Sequence, residues 1–345
     1  AYVRCSELAG DDERRKDVHG PDADGDQTRI AQACNGEKAP LSFPLLRTLP
    51  AGIGKQQMWQ GPTALARLAT GVCAVAGEPE DEAVARACML RGRPAHASGV
   101  HALPLDGGVP MEVLDGGARS VMHSYAEIDG LRMHYVDEGD GDPVLLLHGE
   151  PTWSFLYRKV IPQLAPVARV VAPDYLGFGR SDKPVDRDWY TYDAHYEALE
   201  LLVEELDLQR ITVVMQDWGG PLGFRLATTR PERVARLVVM NTGIYSGRPP
   251  SDTWLRFREL VRSAGPDFQP GRLVQFTCTA ELSEEIVAGY DAPFPAPHSK
   301  TGVLMFPELV PAEPDHPAAE TMLRVREALR SWQKPALVLF GDSDP

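Results

Sequence analysis

The spacing of apolar residues changes along the chain: it is irregular up to residue 110 and regular from about residue 124. In the regular part, short continuous apolar runs alternate with longer stretches whose apolar residues recur at helical spacing. The runs predict strands at Pro143–Leu147, Arg169–Pro173, Ile211–Gln216, Val234–Met240 and Pro335–Phe340. The longer stretches predict helices over Ser154–Leu164, over Tyr192–Leu206 and from about Pro221. This alternation predicts an α/β fold, a doubly wound and mostly parallel sheet.

Two other segments depart from the strand–helix alternation. Tyr125–Tyr135 consists of two alternating runs joined by Asp129-Gly130, which predicts a β-hairpin. Residues 244–330 are rich in proline and aromatic residues, favour helix and contain no buried-strand run. Because strand Pro335–Phe340 follows them, they are predicted to form a helical cap inserted above the carboxyl ends of the strands, where ligand sites form.

Four segments are therefore predicted. Residues 1–110 form a poorly ordered or extraneous extension, with a small accessory domain as the alternative. Residues 111–243 form the α/β core, residues 244–330 the cap, and residues 331–345 the resumed core.

Composition narrows the classes of partner. The formal net charge of −14 over 345 residues argues against a nucleic-acid partner, and the chain has no apolar run long enough to span a membrane. The five cysteines have no metal-ligand spacing, and no secretory signal is visible near Ala1. These features predict free thiols and a cytoplasmic location.

The residue that points to chemistry is Asp217, which ends the apolar run Ile211–Gln216 and precedes Trp218 and two glycines. Burying a carboxylate without a partner costs several kcal/mol, so a function for it is expected. Its position is that of a nucleophile elbow, the turn that raises one side chain above a parallel sheet. A carboxylate there excludes ordinary serine esterase chemistry and favours attack on an alkyl carbon.

Three motifs carry a resemblance to a known family. They are His-Gly-Glu-Pro-Thr-Trp at 148–153, Gly-Phe-Gly-Arg-Ser-Asp-Lys-Pro at 177–184 and Gln-Asp-Trp-Gly-Gly at 216–220. Together they resemble the α/β-hydrolase superfamily and, within it, the haloalkane dehalogenases with Glu after His-Gly. The likeness covers residues 111–345 and implies hydrolysis of a haloalkane to an alcohol and a halide.

The resemblance implies a role for each site residue. Asp217 would be the nucleophile that forms an alkyl-enzyme ester, and the indoles of Trp218 and Trp254 would bind the halide. The backbone N–H groups of Glu150 and Trp218 would hold the oxyanion. Trp189 and Trp332 remain alternatives to Trp254. The side chain of Glu150 is expected to be solvated or paired.

The same resemblance implies a histidine base oriented by an acid. Asp344 is the predicted acid, Asp342 is a weaker candidate, and Asn241 cannot serve. All nine histidines precede Asp344, and His148 is expected to be structural. The expectation is therefore a C-terminally truncated chain that lacks the last strand and helix and either is a fragment or does not complete turnover.

Two alternatives stay open on the sequence. An epoxide hydrolase would use the same elbow, with Tyr245 or Tyr290 donating a proton to the ring oxygen. A catalytically dead remnant of the fold would explain the missing base. The preferred interpretation needs no metal or organic cofactor, and its partners are a small halogenated substrate and water.

Overall fold

The computed structural model describes residues 123–341. The predictions for residues 1–110, Asp342 and Asp344 fall outside the described residues, so the fourfold division of the chain stays a prediction. The strands are β1 to β7, in chain order His123–Ile128, Leu131–Glu138, Pro143–Leu147, Arg169–Pro173, Ile211–Gln216, Val234–Met240 and Ala336–Leu339.

These strands form one sheet of seven strands in the order β1-β2-β4-β3-β5-β6-β7. The hairpin β1–β2 turns at Asp129 and Gly130, whose φ angles are 49° and 77°. Strand β2 is antiparallel to β4, and the five strands from β4 to β7 are parallel to their neighbours. The mostly parallel sheet and the hairpin are both confirmed.

Eight α-helices accompany the sheet within the described residues. They are α1 to α8, in chain order Ile161–Leu164, Tyr192–Glu205, Gly219–Thr229, Asp252–Ala264, Pro270–Thr277, Glu284–Asp291, Thr301–Met305 and Ala319–Leu329. Short 3-10 turns occur at Ser154–Tyr157, Arg187–Trp189, Gly265–Asp267, Pro297–Lys300 and Phe306–Leu309. None of the helices within residues 123–341 is long and apolar enough to cross a membrane.

Two predicted helices have different bounds in the structure. The helix expected over Ser154–Leu164 is instead a 3-10 turn followed by the one-turn helix α1. Pro162 lacks a backbone N–H and is tolerated only in the first turn of a helix, so the helix begins at Ile161. Helix α3 begins at Gly219, earlier than the expected Pro221, because the elbow passes directly into the helix.

Both faces of the sheet are buried, as a doubly wound fold requires. Strand β3 shows the division: Leu145 and Leu147 belong to one apolar cluster, and Val144 and Leu146 belong to another. The first cluster includes apolar residues of α2, α3 and α8, and the second includes those of the 3-10 turn at Ser154–Tyr157 and of α1. The rigid sheet between them supports the loops at its carboxyl edge.

Helices α4 to α8 follow β6 and precede β7, so an excursion of about the predicted extent separates two neighbouring parallel strands. Phe306 lies within this excursion and is fully buried. Its ring packs on Trp218, Phe178 and His195, which belong to the sheet edge and to α2. The excursion therefore covers the carboxyl ends of the strands, where Asp217 lies.

Candidate functional site

Asp217 occupies the turn between β5 and α3 in a left-handed backbone conformation, with φ of 49°. This conformation is unfavourable for a residue with a Cβ and is typical of strained functional turns. Two hydrogen bonds to the Asp217 carbonyl oxygen stabilise the turn. The hydroxyl of Thr242 donates one, and the backbone N–H of Gly220 donates the other at 2.9 Å. The side chain is thereby fixed above the sheet edge.

The loop after β3 lies directly against this carboxylate. The backbone N–H of Glu150 donates to Oδ1 of Asp217 over 2.8 Å. A Cβ at position 149 would overlap Cβ and Oδ1 of Asp217, so only glycine allows the loop to approach this closely. One of the two predicted oxyanion donors therefore already contacts the predicted nucleophile.

One oxygen of the Glu150 side chain lies in an environment that differs from the expected one. The Oε1 atom is buried and has no hydrogen-bond partner, so this oxygen is neither solvated nor paired. Burial, followed by the negative charge of Asp217, raises the pKa of the Glu150 carboxyl well above its ordinary value. The sequence could not indicate this, because only the fold places the two carboxyl groups together.

Trp218 follows the nucleophile and caps the amino end of α3. Its indole is buried and lies 5.1 Å from the ring of Phe306 and 6.5 Å from that of Tyr192, measured between centroids. The predicted halide donor is thus adjacent to Asp217 in the chain and enclosed by aromatic rings, a setting with little water.

Trp254 is the second predicted halide donor and lies in the first turn of α4, after β6. Its side chain is buried, and the guanidinium carbon of Arg258 lies 4.9 Å from the ring centroid. The geometry places this residue in the excursion that covers the sheet edge. Its approach to a halide beside Asp217 stays a prediction.

The two alternative indoles have other surroundings. Trp189 packs edge-on against Tyr190 and His195 at centroid distances of 5.1 and 5.3 Å. Trp332 lines a pocket with Pro231 and Lys334, which precede β6 and β7. Since Asp217 follows β5, Trp332 lies at the opposite edge of the parallel sheet.

His148 is bound to backbone groups through both ring nitrogens. Nδ1 donates to the Gly149 carbonyl oxygen at 3.0 Å, and Nε2 accepts the backbone N–H of Tyr175 at 3.1 Å. Burial lowers the pKa of His148 to about 4, so the ring is neutral at physiological pH. These bonds support a structural role in joining the loops after β3 and β4.

Asp174, which follows β4, is also fully buried but has several partners. It accepts the backbone N–H groups of Ser154 and Arg180 at 2.7 and 2.8 Å and lies 2.7 Å from Nδ1 of His134. These bonds join the middle of β2, the 3-10 turn at Ser154–Tyr157 and the loop after β4. Asp174 is therefore a structural carboxylate, in contrast to Asp217.

Two polar side chains near the site were not singled out from the sequence. The Tyr175 hydroxyl and both ring nitrogens of His195 are buried and have no hydrogen-bond partner. Burial raises the pKa of Tyr175 well above its ordinary value and lowers that of His195 to about 3. Both rings pack on Phe306, at centroid distances of 6.3 and 4.6 Å. Short sequence motifs do not indicate that a polar side chain will be buried without a hydrogen-bond partner.

The epoxide alternative relied on tyrosines above the elbow. The hydroxyl of Tyr290 accepts a hydrogen bond from Nη1 of Arg158 at 3.3 Å. The Tyr290 ring packs on Phe155, and both belong to a separate apolar cluster.

No group of three or more potential metal-ligating side chains occurs within the described part of the chain.

Comparison with known proteins agrees with this geometry. A family model described as the α/β-hydrolase fold matches residues 142–272. The chain is 44% identical to a haloalkane dehalogenase of Psychrobacter cryohalolentis over 223 residues, which are 64% of this chain and 74% of that protein. It is 47% identical to haloalkane dehalogenase 1 of Mycobacterium bovis over 232 residues, 61% of this chain and 77% of that protein.

Solved structures show the same relationship. Haloalkane dehalogenase DpaA from Paraglaciecola agarilytica NO2 superposes with a TM-score of 0.60 at 38% identity, covering 63% of this chain and 76% of that one. DatA from Agrobacterium tumefaciens C58 gives a TM-score of 0.58 at 26% identity, covering 66% of this chain and 81% of that one. With the elbow at Asp217 and the α/β sheet beneath it, these similarities show that the chain belongs to the haloalkane dehalogenases of the α/β-hydrolase superfamily.

Proposed function

We propose that this protein hydrolyses haloalkanes to an alcohol and a halide through a covalent ester on Asp217. The observation that carries the proposal is the contact between the Asp217 carboxylate and the Glu150 backbone N–H at 2.8 Å, on a strained elbow in a member of this family. A held carboxylate beside a dry aromatic surface suits back-side displacement, since the nucleophile is oriented before the substrate arrives.

In the first step, a carboxylate oxygen of Asp217 attacks the halogen-bearing carbon, and the halide leaves with the bonding electrons. Because Oδ1 accepts the Glu150 N–H, we assign Oδ1 as the carbonyl oxygen of the ester and Oδ2 as the attacking atom. The indole N–H of Trp218 is the proposed first donor to the departing halide, and that of Trp254 is the second.

In the second step, water adds to the carbonyl carbon of the ester, and the alcohol is released with regeneration of the Asp217 carboxylate. The backbone N–H groups of Glu150 and Trp218 are the proposed donors to the oxyanion, and Asp344 is the proposed acid that orients a histidine base. The substrates are a small halogenated molecule and water.

The test is intact-mass spectrometry after exposure to 1,2-dibromoethane, with bromide assayed in parallel. We expect the unaltered chain to carry one bromoethyl adduct at early times and to release bromide, and Asp217→Asn to do neither. Asp129→Asn is the matched control, because Asp129 is exposed and has the same φ of 49° as Asp217. An adduct that persists in Asp217→Asn would place the nucleophile elsewhere.

A further inference from the structure

The loop end that holds the nucleophile brings a second carboxyl group to it. Glu150 donates its backbone N–H to Oδ1 of Asp217, so the two residues are in direct contact. Oε1 of Glu150 is buried without a hydrogen-bond partner. The negative charge of Asp217 also opposes ionisation of the Glu150 carboxyl, because like charges repel.

The hydrogen bonding decides which of the two carries the proton. Asp217 accepts a backbone N–H, a bond that favours its charged form, whereas buried Oε1 of Glu150 has no such donor. A buried carboxylate oxygen without a donor is unfavourable, and a protonated acid avoids the cost. The asymmetry therefore localises the negative charge on Asp217.

The neighbouring titratable groups do not supply a compensating positive charge. Asp217, in the β5–α3 turn, acts on Glu150 through its negative charge. His148, two residues before Glu150, and Tyr175, whose backbone N–H donates to His148, are titratable residues of the adjoining loops. Burial lowers the pKa of His148 to about 4 and raises that of Tyr175, so both are neutral at physiological pH. The pKa of the Glu150 carboxyl is raised by burial and by the charge of Asp217.

We infer that Glu150 is a positioning residue whose side chain stays a neutral carboxylic acid beside the ionised Asp217. This inference rests on the proposed function and deepens it. The backbone N–H of Glu150 orients the nucleophile, and its neutral side chain keeps a second negative charge away from the departing halide. An ionised Glu150 would repel that halide in a site of low dielectric constant.

The kinetic test is the pH profile of single-turnover bromide release from 1,2-dibromoethane. Each protein is compared with its own rate near neutral pH, and we expect Glu150→Gln to lose the alkaline decline of the unaltered chain, because an amide does not ionise. At alkaline pH the unaltered chain should slow roughly tenfold or more as Glu150 ionises, while Glu150→Gln keeps its rate. Glu127→Gln, on the exposed face of the hairpin, should retain the alkaline decline.

An alkaline decline of the same size in Glu150→Gln would overturn the inference. The protonation state of Glu150 can also be measured directly, without following the reaction. Infrared spectra near neutral pH should show a protonated carboxyl band that disappears in Glu150→Gln, and a missing band contradicts the inference. Absence of bromide release with the band present would instead reject the proposed function.

Discussion

At the scale of single residues, the site depends on one glycine. Gly149 lies against Asp217, and any Cβ there would overlap Cβ and Oδ1 of the nucleophile. The sequence contained this glycine within a motif, but its physical purpose follows only from the approach of two loops that are 68 positions apart in the chain (217 against 149).

We expect Gly149→Ala to slow bromide release from 1,2-dibromoethane by roughly 10- to 100-fold, because displacing a reacting group by about 1 Å has an effect of this size. Gly130→Ala is the matched control. Gly130 has a positive φ, of 77°, and its added Cβ would meet open space. That variant should lose about 1 kcal/mol of stability and keep its alkylation rate. Equal rates for the two variants would show that the close approach at Gly149 is unimportant.

At the scale of secondary-structure elements, α2 buries a histidine that makes no hydrogen bond through either ring nitrogen. His195 packs among Trp189, Tyr190 and Phe306. Burial lowers its pKa to about 3 in the folded chain, against an ordinary value of 6.5. Between these values the unfolded chain binds a proton that the folded chain does not, so His195 reduces stability as the pH falls below about 6.5.

We therefore expect His195→Phe, which keeps an aromatic ring, to lose less stability on acidification. The difference in unfolding free energy between variant and unaltered chain should change by up to about 3 kcal/mol between pH 7 and pH 4, since each pKa unit corresponds to about 1.4 kcal/mol. Urea unfolding at both pH values measures this. Parallel acid dependence of the two proteins would contradict the assignment of a neutral, buried His195.

At the scale of the whole molecule, the excursion between β6 and β7 is joined to the core through Phe306. This ring contacts Trp218 beside the nucleophile, His195 on α2 and Phe178 after β4. We expect Phe306→Ala to reduce the free energy of unfolding by about 3–5 kcal/mol, because it leaves a cavity among buried rings. It should also slow bromide release, because water would enter beside Trp218.

Phe276→Ala is the control for this loss, since Phe276 lies on α5 with 87% of its surface exposed. The same chemical change there should alter stability by less than about 0.5 kcal/mol and leave the alkylation rate unchanged. Both quantities are measured by urea unfolding and by single-turnover bromide release. Similar losses in the two variants would show that Phe306 does not connect the excursion to the site.

Much of the fold was predictable because buried parallel strands require continuous apolar runs. The bounds of β3, β4, β5 and β6 agree with the sequence prediction residue by residue. The prediction of a single helix over Ser154–Leu164 was wrong, because apolar spacing alone does not show where a proline forces a helix to begin. The second indole at the halide site could not be chosen either, because the sequence does not show that Trp254 lies beside the Arg258 guanidinium and Trp189 beside His195.

The sequence by itself determined the order of strands and helices, the elbow at Asp217 and the family, because these depend on local periodicity and on short motifs. Only the tertiary structure decided what surrounds the nucleophile. It placed the N–H of Glu150 on Oδ1 of Asp217 and left Oε1 of Glu150 buried without a partner. Burial and electrostatic fields arise from segments distant in the chain, so protonation states follow from the packed molecule and not from the motifs.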